Sequence, residues 1–160
     1  MTPAIRVAEA AGIKIGVYHY EHDPSNRQFG LEAAESLGVP VDCVFKTLVI
    51  DLGSPPEGRC AIAVIPVSQT LNLKAVAPVL GYKTATMTDP AKAERVTGYI
   101  RGGISPLGPR TALDTVIDLS ASKLEWLYCS GGRRGLNICI ELQDLVELTG
   151  AKTAAIARQT

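Results

Sequence analysis

No charge of one sign dominates this chain: sixteen lysines and arginines balance sixteen aspartates and glutamates over 160 residues. A global positive field of the kind that marks a nucleic-acid binder is absent, so any RNA contact needs a local patch or a partner that supplies the charge. Long apolar runs are lacking as well. None approaches the length that crosses a bilayer, and Met1-Thr2-Pro3-Ala4-Ile5-Arg6 carries no signal-peptide pattern. The expectation is a cytoplasmic protein with no membrane partner. The four cysteines, Cys43, Cys60, Cys129 and Cys139, form no CxxC pair and no zinc-type spacing. Each lies within or beside an apolar stretch and reads as a buried thiol of a reducing compartment. Histidine is scarce. His19 and His22 stand together, so spacing gives no thiol a histidine partner, and no Ser-His-Asp set is evident. His19-Tyr20-Glu21-His22-Asp23 has the composition of a metal cluster, but alternate strand residues point to opposite faces and a third ligand is missing elsewhere. No metal and no cofactor are expected. Internal repeats, linkers and low-complexity tracts are also missing.

What is present describes one globular domain spanning 1–160, with 46% apolar and 20% charged residues. A chain of this length buries roughly two-thirds of its unfolded surface. Thr2-Pro3 and Gly12 bracket a helix over 3–11. The alternation of Ile13, Ile15 and Val17 predicts a strand over 13–21, and Asp23 to Asn26 a loop. Phe29 to Leu37 has helical composition. The apolar runs 44–50 and 60–66, joined by a polar turn over 53–58, read as a hairpin. Further helices are expected over 72–80, 90–97 and 143–149, with strands over 82–87, 115–119, 125–130 and 136–141 and a short one after the last helix. Mixed connections of this kind point to an α+β fold around a curved mixed sheet.

Three features carry chemistry. Lys46 interrupts the apolar run Val44-Phe45-Lys46-Thr47-Leu48-Val49-Ile50, which has the make-up of a buried strand. Taking an ammonium from water without a partner is costly, so Lys46 either snorkels at a strand end or enters a cleft that receives an anion or a carbonyl. Two glycine-rich segments accompany it: Gly102-Gly103-Ile104-Ser105-Pro106-Leu107-Gly108, a rigid loop, and Ser130-Gly131-Gly132-Arg133-Arg134-Gly135 between two strands. Glycines let backbone groups approach a ligand closely, and they also serve ordinary hairpin turns. Neither segment matches a nucleotide-binding fingerprint. Arg101, Arg133 and Arg134 are candidates for phosphate contact, or are solvated turn residues. Tyr20, at a strand end, can present its hydroxyl to a cleft.

Taken in order, Tyr20-Glu21-His22-Asp23-Pro24, Phe45-Lys46-Thr47-Leu48, Thr97-Gly98-Tyr99 and the two glycine segments resemble the YbaK-type family. Its members are free-standing Cys-tRNA(Pro) deacylases, related to the editing domain inserted in bacterial prolyl-tRNA synthetases. The resemblance implies a mixed sheet curled into a partial barrel with surrounding helices. It implies a hydrolase that removes a wrong amino acid from mischarged tRNA(Pro), with prolyl-tRNA synthetase as a possible third member of the complex. Lys46 corresponds to the family's required lysine. Gly102 and Gly103 match the backbone segment that lines the amino-acid pocket, and Tyr20 and Ser130 match positions bordering it. Thr47, Ile104, Ser105, Gly131 and Asn137 complete the expected substrate-binding set. Asn137 departs from the acidic residue of the best-known members, which opens the substrate preference to Ala-tRNA or another small amino acid. Because cysteine and proline are similar in size, a synthetase pocket separates them by only about 1–3 kcal/mol, and a second hydrolytic site raises fidelity. The family's favoured mechanism lets the substrate's own thiol assist, so a protein nucleophile is not required. A non-catalytic module that binds aminoacyl-tRNA or a synthetase, and a small nucleotide or phosphate-ester enzyme, are the alternatives.

Overall fold

The computed structural model describes residues 1–54 and 58–159; the middle of the expected turn at 53–58 falls outside them. Five α-helices surround mixed β structure among the described residues: α1 (Pro3–Ala10), α2 (Phe29–Leu37), α3 (Leu73–Val79), α4 (Pro90–Thr97) and α5 (Leu142–Thr149). The strands are β1 (Gly16–His19), β2 (Phe45–Leu52), β3 (Arg59–Pro66), β4 (Gln69–Leu71), β5 (Ala85–Met87), β6 (Asp114–Asp118), β7 (Leu127–Arg133), β8 (Leu136–Ile140), β9 (Lys152–Ala154) and β10 (Ala157–Gln159). A five-stranded sheet runs β5-β2-β3-β6-β9, antiparallel on the β5 side and parallel from β3 to β9. A three-stranded antiparallel sheet runs β1-β8-β7, and β4 pairs with β10. This is the expected α+β class. Hydrogen bonding does not close the strands into a barrel.

Strand β3 explains the core. Ile62 and Val64 point to one face and Ala61, Ala63 and Ile65 to the other, and all five are buried. A strand covered on both sides reads as an unbroken apolar run rather than an alternation. The first face meets Leu127, Cys129, Leu136 and Ile138 of the smaller sheet, with Ala4 of α1 and Leu145 of α5. The second face packs on Val76 of α3, Leu71 and Ile156.

Several elements differ from the sequence expectations. β1 holds four residues rather than nine: Ile13 and Ile15 pack on the core without a ladder partner, and the ladder with β8 begins at Gly16. The strand expected at 82–87 is paired only over Ala85–Met87, where it meets Ile50–Leu52. β7 continues through the second glycine segment to Arg133, so that segment is more strand than turn. The register shifts between Ser130 and Arg133, and the intervening glycines form an irregularity that a regular hairpin lacks. The cysteines are not uniformly buried: Cys129 and Cys139 are, whereas Cys43 and Cys60 are half-exposed. Burial pushes the Cys129 thiol up to about 12, which suits a packing group and not a nucleophile.

The N-terminus of α1 fixes the glycine segments in place. Thr2 caps the helix, accepting the Ile5 N–H, and its hydroxyl donates to the Gly131 carbonyl at 2.5 Å. Buried Tyr99 donates to the Leu107 carbonyl at 2.6 Å, and burial raises its phenol to about 12. Tyr99→Phe leaves that buried carbonyl without its donor and should lower unfolding free energy by about 1–3 kcal/mol in urea titration.

Candidate active site

β2 has two unlike edges. β3 pairs with it from Phe45 to Leu52. The other edge meets β7 through a single bridge, Val44 to Tyr128, and meets β5 at Ile50–Leu52. Between these contacts the strand has no ladder partner among the described residues. The Val49 carbonyl accepts the Thr88 N–H across the β5 edge. In an antiparallel strand the bonding direction alternates by residue, so the N–H and C=O of Thr47 face the same open edge. A cavity of about 620 Å³ lies along it and touches six consecutive residues, Val44 to Val49. Such an unbroken run is what a strand presents edge-on; a strand seen face-on presents alternate residues.

The far walls come from three segments. α2 and its approach contribute Arg27, Phe29, Gly30 and Ala33; the β5–α4 junction contributes Met87, Thr88 and Ala93; and the first glycine loop contributes Arg101, Gly102 and Ile104. Tyr20, Ser130 and Asn137 close the remaining side. The expected residues Tyr20, Lys46, Thr47, Arg101, Gly102, Ile104, Ser130 and Asn137 are thus brought together. Gly103, Ser105, Gly131, Arg133 and Arg134 do not line the cavity. Ser105 is fully buried and its hydroxyl accepts the Leu107 N–H, holding a turn. Gly103 lies against the Arg133 backbone, where an added Cβ would stand 2.7 Å from Cα. Arg134 braces the loop: its Nε–H donates to the Arg101 carbonyl at 2.7 Å and its guanidinium lies 4.8 Å over the Phe29 ring. Gly102, at φ +85°, faces the edge of that same ring. Ring, glycine and arginine lock the loop to α2.

Lys46 is half-buried, and burial holds its amine below the ordinary lysine range. The ion pairs of the described residues are His22–Glu32 and Lys92–Asp51, and Lys46 joins neither. The cavity therefore holds an amine without a counter-charge. Burial and the Glu32 carboxylate raise the Tyr20 phenol, against a backbone hydrogen bond at Gly135, so Tyr20 stays protonated as a donor. Thr47 and Asn137 both belong to the lining, and each has one oxygen, Thr47 Oγ1 and Asn137 Oδ1, buried without a hydrogen-bond partner. Such atoms are costly unless something else satisfies them.

The histidines do not form a metal cluster. His22 Nδ1 lies 2.6 Å from Glu32 Oε1, whose second oxygen accepts the Asp23 N–H, and exposed His19 ends β1. No group of three potential ligands occurs among the described residues. Nor is any helix among them long and apolar enough to cross a membrane. Sequence reasoning missed Arg27, Phe29, Ala33, Val67 and Thr88, all on the cavity wall. Helical composition at 29–37 gave no sign of which face meets a ligand.

Residues 29–148 match the family model described as the aminoacyl-tRNA editing domain. Over 156 residues the chain is 35% identical to an Enterococcus faecalis protein that bears the name Cys-tRNA(Pro)/Cys-tRNA(Cys) deacylase EbsC, covering 97% of this chain and 92% of that one. Among solved structures, the crystal structure of a hypothetical protein superposes with TM-score 0.86 at 24% identity, over 98% of this chain and 99% of the other. A crystal structure described as a trans-editing enzyme for prolyl tRNA synthetase superposes with TM-score 0.82 at 22% identity, over 99% of each chain. At those identities the structures speak to the fold.

Proposed function

The chain belongs to the aminoacyl-tRNA editing domain family, and from that premise we propose a trans-editing deacylase that hydrolyses the ester of mischarged tRNA, with Cys-tRNA(Pro) as its substrate. The observation that carries the reading is an unpaired, half-buried amine on the wall of a cleft that runs along the open edge of a strand. The cavity's volume falls in the range of about 300–1,000 Å³ typical of small-molecule sites. It suits the aminoacylated terminal nucleoside, and the rest of the tRNA stays outside.

Ester hydrolysis places negative charge on the carbonyl oxygen as the tetrahedral intermediate forms. Lys46 and the outward N–H of Thr47, on adjacent lining residues, are the proposed donors for that charge. Tyr20, held as a phenol, and Asn137 offer further hydrogen bonds to the substrate. Arg27 and Arg101, both exposed at the cavity, are placed to meet the phosphate behind the terminal ribose. No carboxylate lines the cavity among the described residues, so the attacking group is not activated by an acidic side chain. For a cysteinyl ester, the surrounding positive charge favours the thiolate, consistent with assistance from the substrate itself.

We extend the reading to the whole chain as one editing domain, with the two larger sheets as the walls of a curled partial barrel joined at Val44 and Tyr128. The balanced charge implies weak, salt-sensitive affinity for tRNA alone, so prolyl-tRNA synthetase in the cytoplasm is the proposed partner in holding the RNA. Release of amino acid from Cys-, Ala- and Pro-charged tRNA(Pro) tests the reading. Cysteine should leave fastest and proline no faster than in buffer. Equal release of all three, or of none, contradicts it.

A further inference from the structure

The cavity's charged lining is of one sign. Arg27, Lys46 and Arg101 carry it, and among the described residues no aspartate or glutamate touches the cavity. The neighbouring carboxylates are engaged elsewhere. Glu32, behind Tyr20, is held by His22 Nδ1 and the Asp23 N–H. Asp51, behind Thr88, takes Lys92 Nζ, the Thr88 hydroxyl and the Cys60 thiol. Glu94 of α4 accepts the Arg101 N–H at 2.7 Å. Cys60 itself stays with Asp51, away from the lining.

An aminoacyl ester normally carries an ammonium beside its carbonyl carbon. Seated in this cavity, that ammonium would meet three cations and no counter-ion, and a like charge nearby disfavours the protonated form. What the wall does offer is neutral: the Tyr20 phenol, the Ser130 hydroxyl and the Asn137 amide. These groups hydrogen-bond an amine or a hydroxyl equally well, and none supplies charge.

Resting on the deacylase reading of the same site, we propose that the cavity takes its acyl group with the α-position uncharged, as the free amine or as an α-hydroxyl. The substrate class thereby widens from aminoacyl to 2-hydroxyacyl esters of the tRNA terminus. It also follows that the enzyme selects the deprotonated fraction of an aminoacyl ester.

The test uses the intact protein and two non-hydrolysable ligands, adenosine carrying a 3′-amide-linked alanyl group and the matching 2-hydroxypropionyl group. They differ by one amine against one hydroxyl, so any change in the protein's own groups affects both alike. Calorimetric binding is followed across the titration of the alanyl amine. The alanyl ligand should tighten at least about tenfold as its amine loses the proton, while the hydroxy ligand does not follow that titration. At the alkaline end the two should agree within about threefold, as expected when neutral hydrogen bonds alone distinguish them. Alanyl binding that is indifferent to its own protonation, or a hydroxy ligand bound more than about thirtyfold more weakly, overturns the proposal. Turnover of the true ester is scored separately. Proton-selective binding without turnover keeps this inference and removes the deacylase reading; turnover with proton-independent binding does the reverse.

Discussion

Replacing Lys46 with alanine is expected to slow deacylation by about a hundred- to a thousandfold, the scale of losing one donor to a developing oxyanion. Folding should survive. The amine has no ion-pair partner, so its removal orphans no buried charge, and unfolding free energy should stay within about 1 kcal/mol of the parent. Lys46→Arg separates two roles. A guanidinium keeps the charge but is planar, bulkier and does not give up a proton, so it retains phosphate attraction and loses the compact donor beside Thr47. If Lys46 holds only the RNA end, Arg should restore most of the rate. If it stabilises the oxyanion, Lys46→Arg should stay at least about tenfold slow under single-turnover conditions.

The second large effect concerns stability. Asp118, at the end of β6, is buried and accepts four hydrogen bonds: the Ile156 and Ala157 N–H groups on one oxygen, and the Ser120 N–H and hydroxyl on the other. It pins the C-terminal segment, whose Ile156 carbonyl in turn accepts the Asn72 N–H at the start of α3. Asp118→Ala strands the buried Ile156 N–H and should cost about 3–5 kcal/mol. Burial alone would raise the Asp118 carboxyl, but the bonds from Ser120, Ile156 and Ala157 outweigh it and hold the group below the usual range. A carboxyl lowered on folding stabilises the protein fully above its unfolded value, about 3.9, and loses that contribution as pH falls through its folded value. Acid unfolding of the parent below about pH 4 should therefore be steeper than that of Asp118→Ala, by urea midpoints across that window. Because Asp118 does not line the cavity, the rate per folded molecule should not change.

Much of the site was legible in the sequence, because burying an ammonium in an apolar run is conspicuous. Lys46 is half-buried and lies on the wall of the cleft. Asn137 was legible too, at the place where the resemblance broke. What sequence could not give is the gap at Thr47. That gap exists because β5 and β7 diverge from β2, and divergence is a tertiary fact with no local pattern. The same holds for Arg134, whose Nε–H meets a carbonyl and whose guanidinium lies over a ring, both distant in sequence. β4 and β10 escaped because three residues carry too little periodicity. β7 was cut short for the opposite reason: its glycines signalled a turn, but the strand continues through them as a bulge.

The central claim is that this cavity hydrolyses a mischarged ester through Lys46. Its most direct test is single-turnover release of cysteine from Cys-tRNA(Pro), with protein in excess and spontaneous hydrolysis subtracted. The account predicts rapid release by the parent and release near the spontaneous rate by a folded Lys46→Ala. Release by the parent no faster than in buffer, or a Lys46→Ala protein as fast as the parent, would contradict it.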